Sequence, residues 1–160
     1  MSHLYVATNG LSVWSSSDLG ETLLRMSTGT GMYSGSQVWA LALHPSSPHV
    51  LLAGTNTGIY RLNQEEENWT HIMSPMDDAM LVTALAYSPD NPDVIMAGTQ
   101  PAGLYRSDDA GKSWRNLDVP MKPYALTGYY QGDNPFPDGH PAAAADVSPL
   151  IIFSTSLTSA

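Results

Sequence analysis

The sequence predicts an all-β fold made of repeated four-stranded antiparallel units, and three observations carry that expectation. Segments recur in fixed order at a long offset. The recurring segments are short, apolar and bounded by Gly, Pro, Asn, Asp or Ser. No segment holds a helical period, Ala142–Ala145 being a short alanine run among prolines that reads as loop.

The repeat is explicit. Val38-Trp39-Ala40-Leu41-Ala42-Leu43-His44-Pro45 matches Val82-Thr83-Ala84-Leu85-Ala86-Tyr87-Ser88-Pro89, and Val50-Leu51-Leu52-Ala53-Gly54-Thr55 matches Val94-Ile95-Met96-Ala97-Gly98-Thr99, both 44 residues apart. Gly58-Ile59-Tyr60-Arg61 returns as Gly103-Leu104-Tyr105-Arg106 after a one-residue insertion near Pro101. A partial copy opens the chain with Tyr5-Val6-Ala7-Thr8 and Ser12-Val13-Trp14-Ser15.

Each unit reads as four strands, A to D. Strand A is expected at 38–44 and 82–88, strand B at 4–8, 50–54 and 94–98, strand C at 11–15, 58–62 and 103–106, and strand D at 23–26, 69–73 and 114–117. Strict alternation along strand A sets Val38, Ala40 and Ala42 on one face and Trp39, Leu41 and Leu43 on the other, which makes Trp39 a core residue. A strand apolar on both faces belongs to a sheet sandwiched between neighbours. Small Ala residues suit an inner strand where sheets converge, and a period near 45 residues suits four-stranded blades of the β-propeller type.

The turn from C to D carries a family resemblance. Ser107-Asp108-Asp109-Ala110-Gly111-Lys112-Ser113-Trp114 resembles the Asp box, or bacterial neuraminidase repeat, Ser-x-Asp-x-Gly-x-Thr/Ser-Trp. Ser16-Ser17-Asp18-Leu19-Gly20-Glu21-Thr22-Leu23 fits the same frame with Leu23 in place of Trp, and 62–69 keeps only the spacing and Trp69. The resemblance spans Leu4 to Leu117. It implies blades like those of sialidases, xyloglucan-type glycoside hydrolases, sortilin-like receptors and photosystem assembly factors, a breadth that leaves function undecided by fold. The box is read as architecture: Asp18 and Asp109 accept turn N–H groups, Gly20 and Gly111 permit positive φ, Ser16, Thr22, Ser107 and Ser113 complete the turn, and Trp69 and Trp114 pack where strand D begins.

Strand parity places the A–B and C–D turns on one face and the D–A and B–C loops on the other, where propellers usually bind ligands. Candidate ligand-binding residues there are Tyr33, Asn56, Asp77, Asp78 and Gln100; the plainer reading of Asp77 and Asp78 is a solvated turn. A glycosidase would need two carboxylates across a sugar cleft. Asp77 or Asp78 supplies one and no second is found, so catalytic residues are expected to be none. A lectin would use Tyr33 and Trp39 as platforms. The sialidase Arg-Ile-Pro element is absent, and Arg61 and Arg106, sharing one repeat position, read as strand-surface or ion-pair residues.

Composition narrows the partners. Six Lys and Arg against fifteen Asp and Glu give a formal net charge of −9, with no basic stripe to neutralise phosphates, so nucleic acid is not expected. Cysteine is absent, which excludes disulfides and thiolate metal sites. The five histidines lack ligand spacing, Asp133, Asp138 and His140 in the Pro-rich tail are a poor metal set, and no Gly-rich phosphate loop precedes a helix; no cofactor or metal is expected. No stretch reaches the roughly 18 apolar residues of a membrane span. With no signal peptide visible at 1–10, the default location is cytoplasmic, secretion or a periplasmic site staying open.

The expected organisation is a partial blade at 1–27, blades at 38–74 and 82–119, and a Pro/Gly/Ala-rich tail at 120–160 with a terminal strand at 150–157. The expected function is a non-enzymatic binding or assembly module for a protein or glycan. The alternatives are a glycoside hydrolase relative or fragment and an oligomeric lectin. Since about three blades cannot close a ring that needs four to eight, either self-association closes the propeller or the chain is a fragment of a longer one.

Overall fold

In a computed structural model, the structure describes residues 3–26, 31–63, 68–77 and 80–118. Asp78, Gln64 and the whole 119–160 tail, including the strand expected at 150–157, lie outside the described residues. Among the described residues there is no helix, and eleven strands form three antiparallel sheets.

The first blade has three strands, β1 (Leu4–Ala7), β2 (Val13–Ser16) and β3 (Leu24–Arg25). The second has four, β4 (Val38–Leu43), β5 (Val50–Thr55), β6 (Gly58–Asn63) and β7 (Asn68–Ile72), paired in chain order. The third repeats that order with β8 (Leu81–Tyr87), β9 (Ile95–Gln100), β10 (Gly103–Ser107) and β11 (Arg115–Asn116). Each blade is thus a meander whose strands meet their sequence neighbours, the simplest outcome of short turns between alternating apolar runs. The A strands β4 and β8 lie nearest each other, and the blades separate outward through β5 and β6. Among the described residues the blades form a β-propeller-type, incomplete ring.

Two hydrophobic layers hold the three sheets together. Between blades 1 and 2, Val13 and Met32 meet Val38, Leu41, Leu51, Ala53, Tyr60, Leu62 and Trp69. Between blades 2 and 3, Ala40, Ala42, Leu52, Ile59 and Met76 meet Val82, Leu85, Ile95, Ala97 and Tyr105. Blade 2 is therefore buried on both faces, as its doubly apolar strands require.

Strict alternation along strand A fails at one place. The β4–β5 register shifts between Val38 and Ala40, and the β8–β9 register shifts at the matching site between Val82 and Ala84. The extra residue of each bulge is Trp39 or Thr83. A bulge inverts the parity of the residues beyond it, so Val38 and Leu41 face blade 1 while Ala40 and Ala42 face blade 3. Trp39 is a corrected expectation: it is 40% exposed rather than core. Strand C of blade 1 also begins later than expected, at Val13, because Ser12 takes a left-handed conformation (φ 63°) within the preceding turn.

Candidate functional site

Backbone hydrogen bonds assign the loops to two opposite faces. The amide of Ala110, in the last C–D turn, donates to the carbonyl of Asp93 in the A–B turn of the same blade at 2.8 Å. On the other side, Gln37 at the end of a D–A loop clasps Asn56 of a B–C turn. The Asn56 amide donates to the Gln37 carbonyl at 3.2 Å, and the Gln37 amide donates to Asn56 Oδ1 at 3.1 Å. Gln37 also bridges to Asn9, the B–C turn residue of blade 1. Gln37 is not among the sequence candidates, since an isolated polar residue in an irregular loop leaves no pattern.

The C–D turns of blades 1 and 3 are alike bond for bond. Ser16 Oγ donates to Asp18 Oδ1 at 2.6 Å and accepts from the Gly20 amide at 2.8 Å, while the Thr22 amide donates to Asp18 Oδ1 at 2.9 Å and the Thr22 hydroxyl to Asp18 Oδ2. In blade 3, Ser107 Oγ donates to Asp109 Oδ1 and accepts from the Gly111 amide, both at 2.8 Å. The Ser113 amide and hydroxyl donate to the two Asp109 oxygens at 2.8 and 2.5 Å. Gly20 and Gly111 have φ of 98° and 88°, which glycine adopts without a Cβ penalty. The residues before them, Leu19 and Ala110, are also left-handed (φ 61° and 58°). These hydrogen bonds favour the charged carboxylates. Those from Ser16 and Thr22 hold the Asp18 pKa at about 2, and those from Ser113 and Ser107 hold that of Asp109 at about 2. Trp114 Nε1 closes its turn by donating to the Gly111 carbonyl at 3.1 Å, whereas Trp69 is fully buried with no partner for Nε1 among the described residues.

On the loop face two of the polar candidates, Asn56 and Asp77, are occupied in holding loops. Asp77 accepts from the Ser74 amide at 3.0 Å and the Ser74 hydroxyl at 2.9 Å, and lies 3.3 Å from His71 Nε2. Gly58 (φ 100°) sits beneath this pair, where a Cβ would collide with both Asp77 and His71. The turn drives Met76 into the blade 2–blade 3 core. Asp77 is therefore the latch of its loop, and Asn56 the latch of another. In each blade the Thr at or beside the end of strand B turns its hydroxyl onto a carbonyl of the B–C turn: Thr8 to Ser12 at 2.6 Å, Thr55 to Gly58 at 2.9 Å, Thr99 to Pro101 at 2.8 Å. Gln100, exposed, ends β9 beside that last turn.

Beside exposed polar residues such as Gln100, this face leaves large apolar side chains open. Tyr33 is 73% exposed on the blade 1–blade 2 loop, Met73 is exposed at the end of blade 2, and Trp39 protrudes at its bulge. Among the described residues no other carboxylate is paired with Asp77, and no group of three or more His, Cys, Asp or Glu could hold a metal ion. Of the two repeat arginines, Arg106 pairs with Asp108 of its own blade at 2.5 Å, and Arg61 makes no ion pair among the described residues. On the turn face, His44 Nδ1 accepts from the Ser46 amide at 3.2 Å and its ring meets Tyr87 edge-on across the blade junction at 5.0 Å. Burial, aided by the charge of Arg61, lowers the His44 pKa, and burial raises that of Tyr87 to about 12, so both stay neutral at pH 7.

No protein-family model matches this sequence, and no curated protein matches it. Solved structures do. The GH74 xyloglucanase from Xanthomonas campestris matches at TM-score 0.56 and 23% identity, covering 72% of this chain and 18% of that one. An ancestral GH74 enzyme matches at TM-score 0.60 and 20% identity, over 71% of this chain and 16% of that one. YCF48, solved bound to D1 peptide, matches at 0.57 and 15% identity, over 72% of this chain and 37% of that one. All three are β-propeller proteins, and this chain spans well under half the length of each. At these identities the likeness shows the fold.

Proposed function

We infer that this chain is a run of Asp-box propeller blades serving as a non-enzymatic binding or assembly module, with the D–A and B–C loops as its contact face. One observation carries the reading. Two polar candidates of that face, Asn56 and Asp77, are consumed in fixing the loops, while Tyr33 stands exposed on the D–A loop and Trp39 at the adjacent bulge of β4. Fixed loops with open aromatic rings on and beside them favour binding, because rigid rings lose little conformational entropy on contact. The ligand classes that fit are a glycan, stacking on the rings, or an extended peptide. YCF48 bound to D1 peptide is a precedent for the second on a similar fold.

The second reading is a piece of a glycoside hydrolase, favoured by the GH74 enzymes among the structural neighbours. It requires carboxylates free to exchange protons, and those of Asp18, Asp77 and Asp109 are each tied into a turn. Calorimetric titration with xyloglucan oligosaccharides and with peptide pools, alongside a reducing-end assay, separates the two. The expected result is binding without turnover, weakened tenfold or more by Tyr33→Ala or Trp39→Ala. Turnover abolished by Asp77→Asn would establish the enzyme reading instead.

A further inference from the structure

Every blade has two non-equivalent faces, and the two blade junctions use them in one way. The face turned toward the preceding blade carries Leu51, Ala53, Tyr60 and Trp69 in blade 2 and, at the same repeat positions, Ile95, Ala97, Tyr105 and Trp114 in blade 3. The face turned toward the following blade carries Ala40, Ala42, Leu52 and Ile59 in blade 2 and Tyr5, Ala7 and Val13 in blade 1. Two faces of this set have no partner among the described residues. Blade 1 presents Leu4, Val6, Trp14 and Leu23, the repeat equivalents of Leu51, Ala53, Tyr60 and Trp69. Leu4 and Leu23 are 42% and 43% exposed where Leu51 and Trp69 are 2% and 1%. Blade 3 presents Ala84, Ala86, Met96 and Leu104, the equivalents of Ala40, Ala42, Leu52 and Ile59; Ala86 is exposed and the other three half-buried.

We propose that the open face of blade 3 takes blade 1 of a second copy of this chain, head to tail. The occupant is specified by the junctions already present. A face of the Ala40–Ala42–Leu52–Ile59 type is covered in this molecule by a face of the Leu51–Ala53–Tyr60–Trp69 type, and blade 1 offers the unsatisfied copy of the latter. The contact is heterologous, so two chains joined twice close a ring. The matching faces are apolar apart from arginines on their outer strands: Arg25 on blade 1, whose guanidinium donates to the Ser34 carbonyl, and Arg106 and Arg115 on blade 3, both paired with Asp108. Blade 1 covers Met96 and Leu104 with its B and C strands, and Ala86, the cross-strand neighbour of Met96, borders that contact.

Analytical ultracentrifugation of the full chain over a wide concentration range tests this with two variants, Leu4→Glu on blade 1 and Ala86→Glu on blade 3. Both positions are exposed in the single chain, so folding is preserved, and circular dichroism checks it. The wild type is expected to form dimers, and each variant alone to be monomeric or to dissociate at least tenfold more readily. An equimolar mixture recovers association, since the intact blade 3 face of Leu4→Glu meets the intact blade 1 face of Ala86→Glu. Longer assemblies dispersed by the same two variants and recovered on mixing also support the junction. A wild type monomeric throughout would overturn the proposal, whether because residues 119–160 cover the face or because nothing does. Association indifferent to either variant, or failure of the mixture to recover it, would overturn it as well.

Discussion

The turns at Ser16–Thr22 and Ser107–Ser113 share their internal hydrogen bonds and differ in their surroundings. In blade 3 the Gly111 backbone is buried beneath Trp114 and beside Ile72 and Ile95, and the indole N–H returns to the Gly111 carbonyl. In blade 1 the turn is in solvent, Leu23 replaces the indole, and the side chain nearest Gly20 is that of Leu4. Both carboxylate pKa values are nevertheless lowered to about 2. Turn shape is therefore local chemistry, set by one Ser, one Asp, one Gly and one hydroxyl. Anchoring of the turn to the sheet is a separate function that falls to the aromatic residue. The middle copy is the converse case: Leu62 takes the place of the box Ser and is buried in the core, and Trp69 stays fully buried. Packing is retained there although the box residues are gone.

Deleting the anchors should expose this division most strongly. Trp114→Ala is expected to cost about 3 kcal/mol, the low end for removing a large packed aromatic, while Leu23→Ala, nearly half in solvent, costs under about 1 kcal/mol. Urea titration of both reads it, and equal losses would mean that the two turns are anchored alike. A smaller effect is expected from the carboxylates. Asp18→Ala and Asp109→Ala should lower the melting temperature by similar amounts, since their hydrogen bonds match; a loss confined to Asp109 would tie turn integrity to burial. The smallest effect is expected at the indole nitrogens. Trp69→Phe removes a buried N–H without a partner among the described residues and should be nearly neutral, whereas Trp114→Phe loses a bond worth about 1 kcal/mol. The reverse order would contradict the assigned partners.

Much of this is legible in the sequence. A 44-residue recurrence identifies the blades because each blade must solve the same packing problem, and Ser-x-Asp-x-Gly identifies two turns because local hydrogen bonds dictate the spacing. The bulges are not legible. Val38-Trp39-Ala40 and Val82-Thr83-Ala84 read as plain alternation, and nothing in the residue types marks the inserted position, so alternation alone sends Trp39 to the core. The candidate site is legible only as a face. Asn56 and Asp77 lie on it, but their commitment to Gln37 and to Ser74 depends on backbone placement between elements far apart in sequence or folded back on themselves. Met32 and Met76, buried under the loops, carry no periodic signal at all.

The two box carboxylates are turn architecture, alike in blade 1 and blade 3. A group whose pKa is lowered on folding stabilises the native state above the unfolded value, near 3.9, and loses that contribution as pH falls toward about 2. Titration of the side-chain carboxyl carbons of Asp18 and Asp109 by NMR reads both groups directly in the folded protein. Both midpoints are expected at about 2 and close to one another. Midpoints near the unfolded value, or one lowered and the other not, would contradict a shared architectural role, because the carboxylates would then be free of the hydrogen bonds that define the turn in at least one blade.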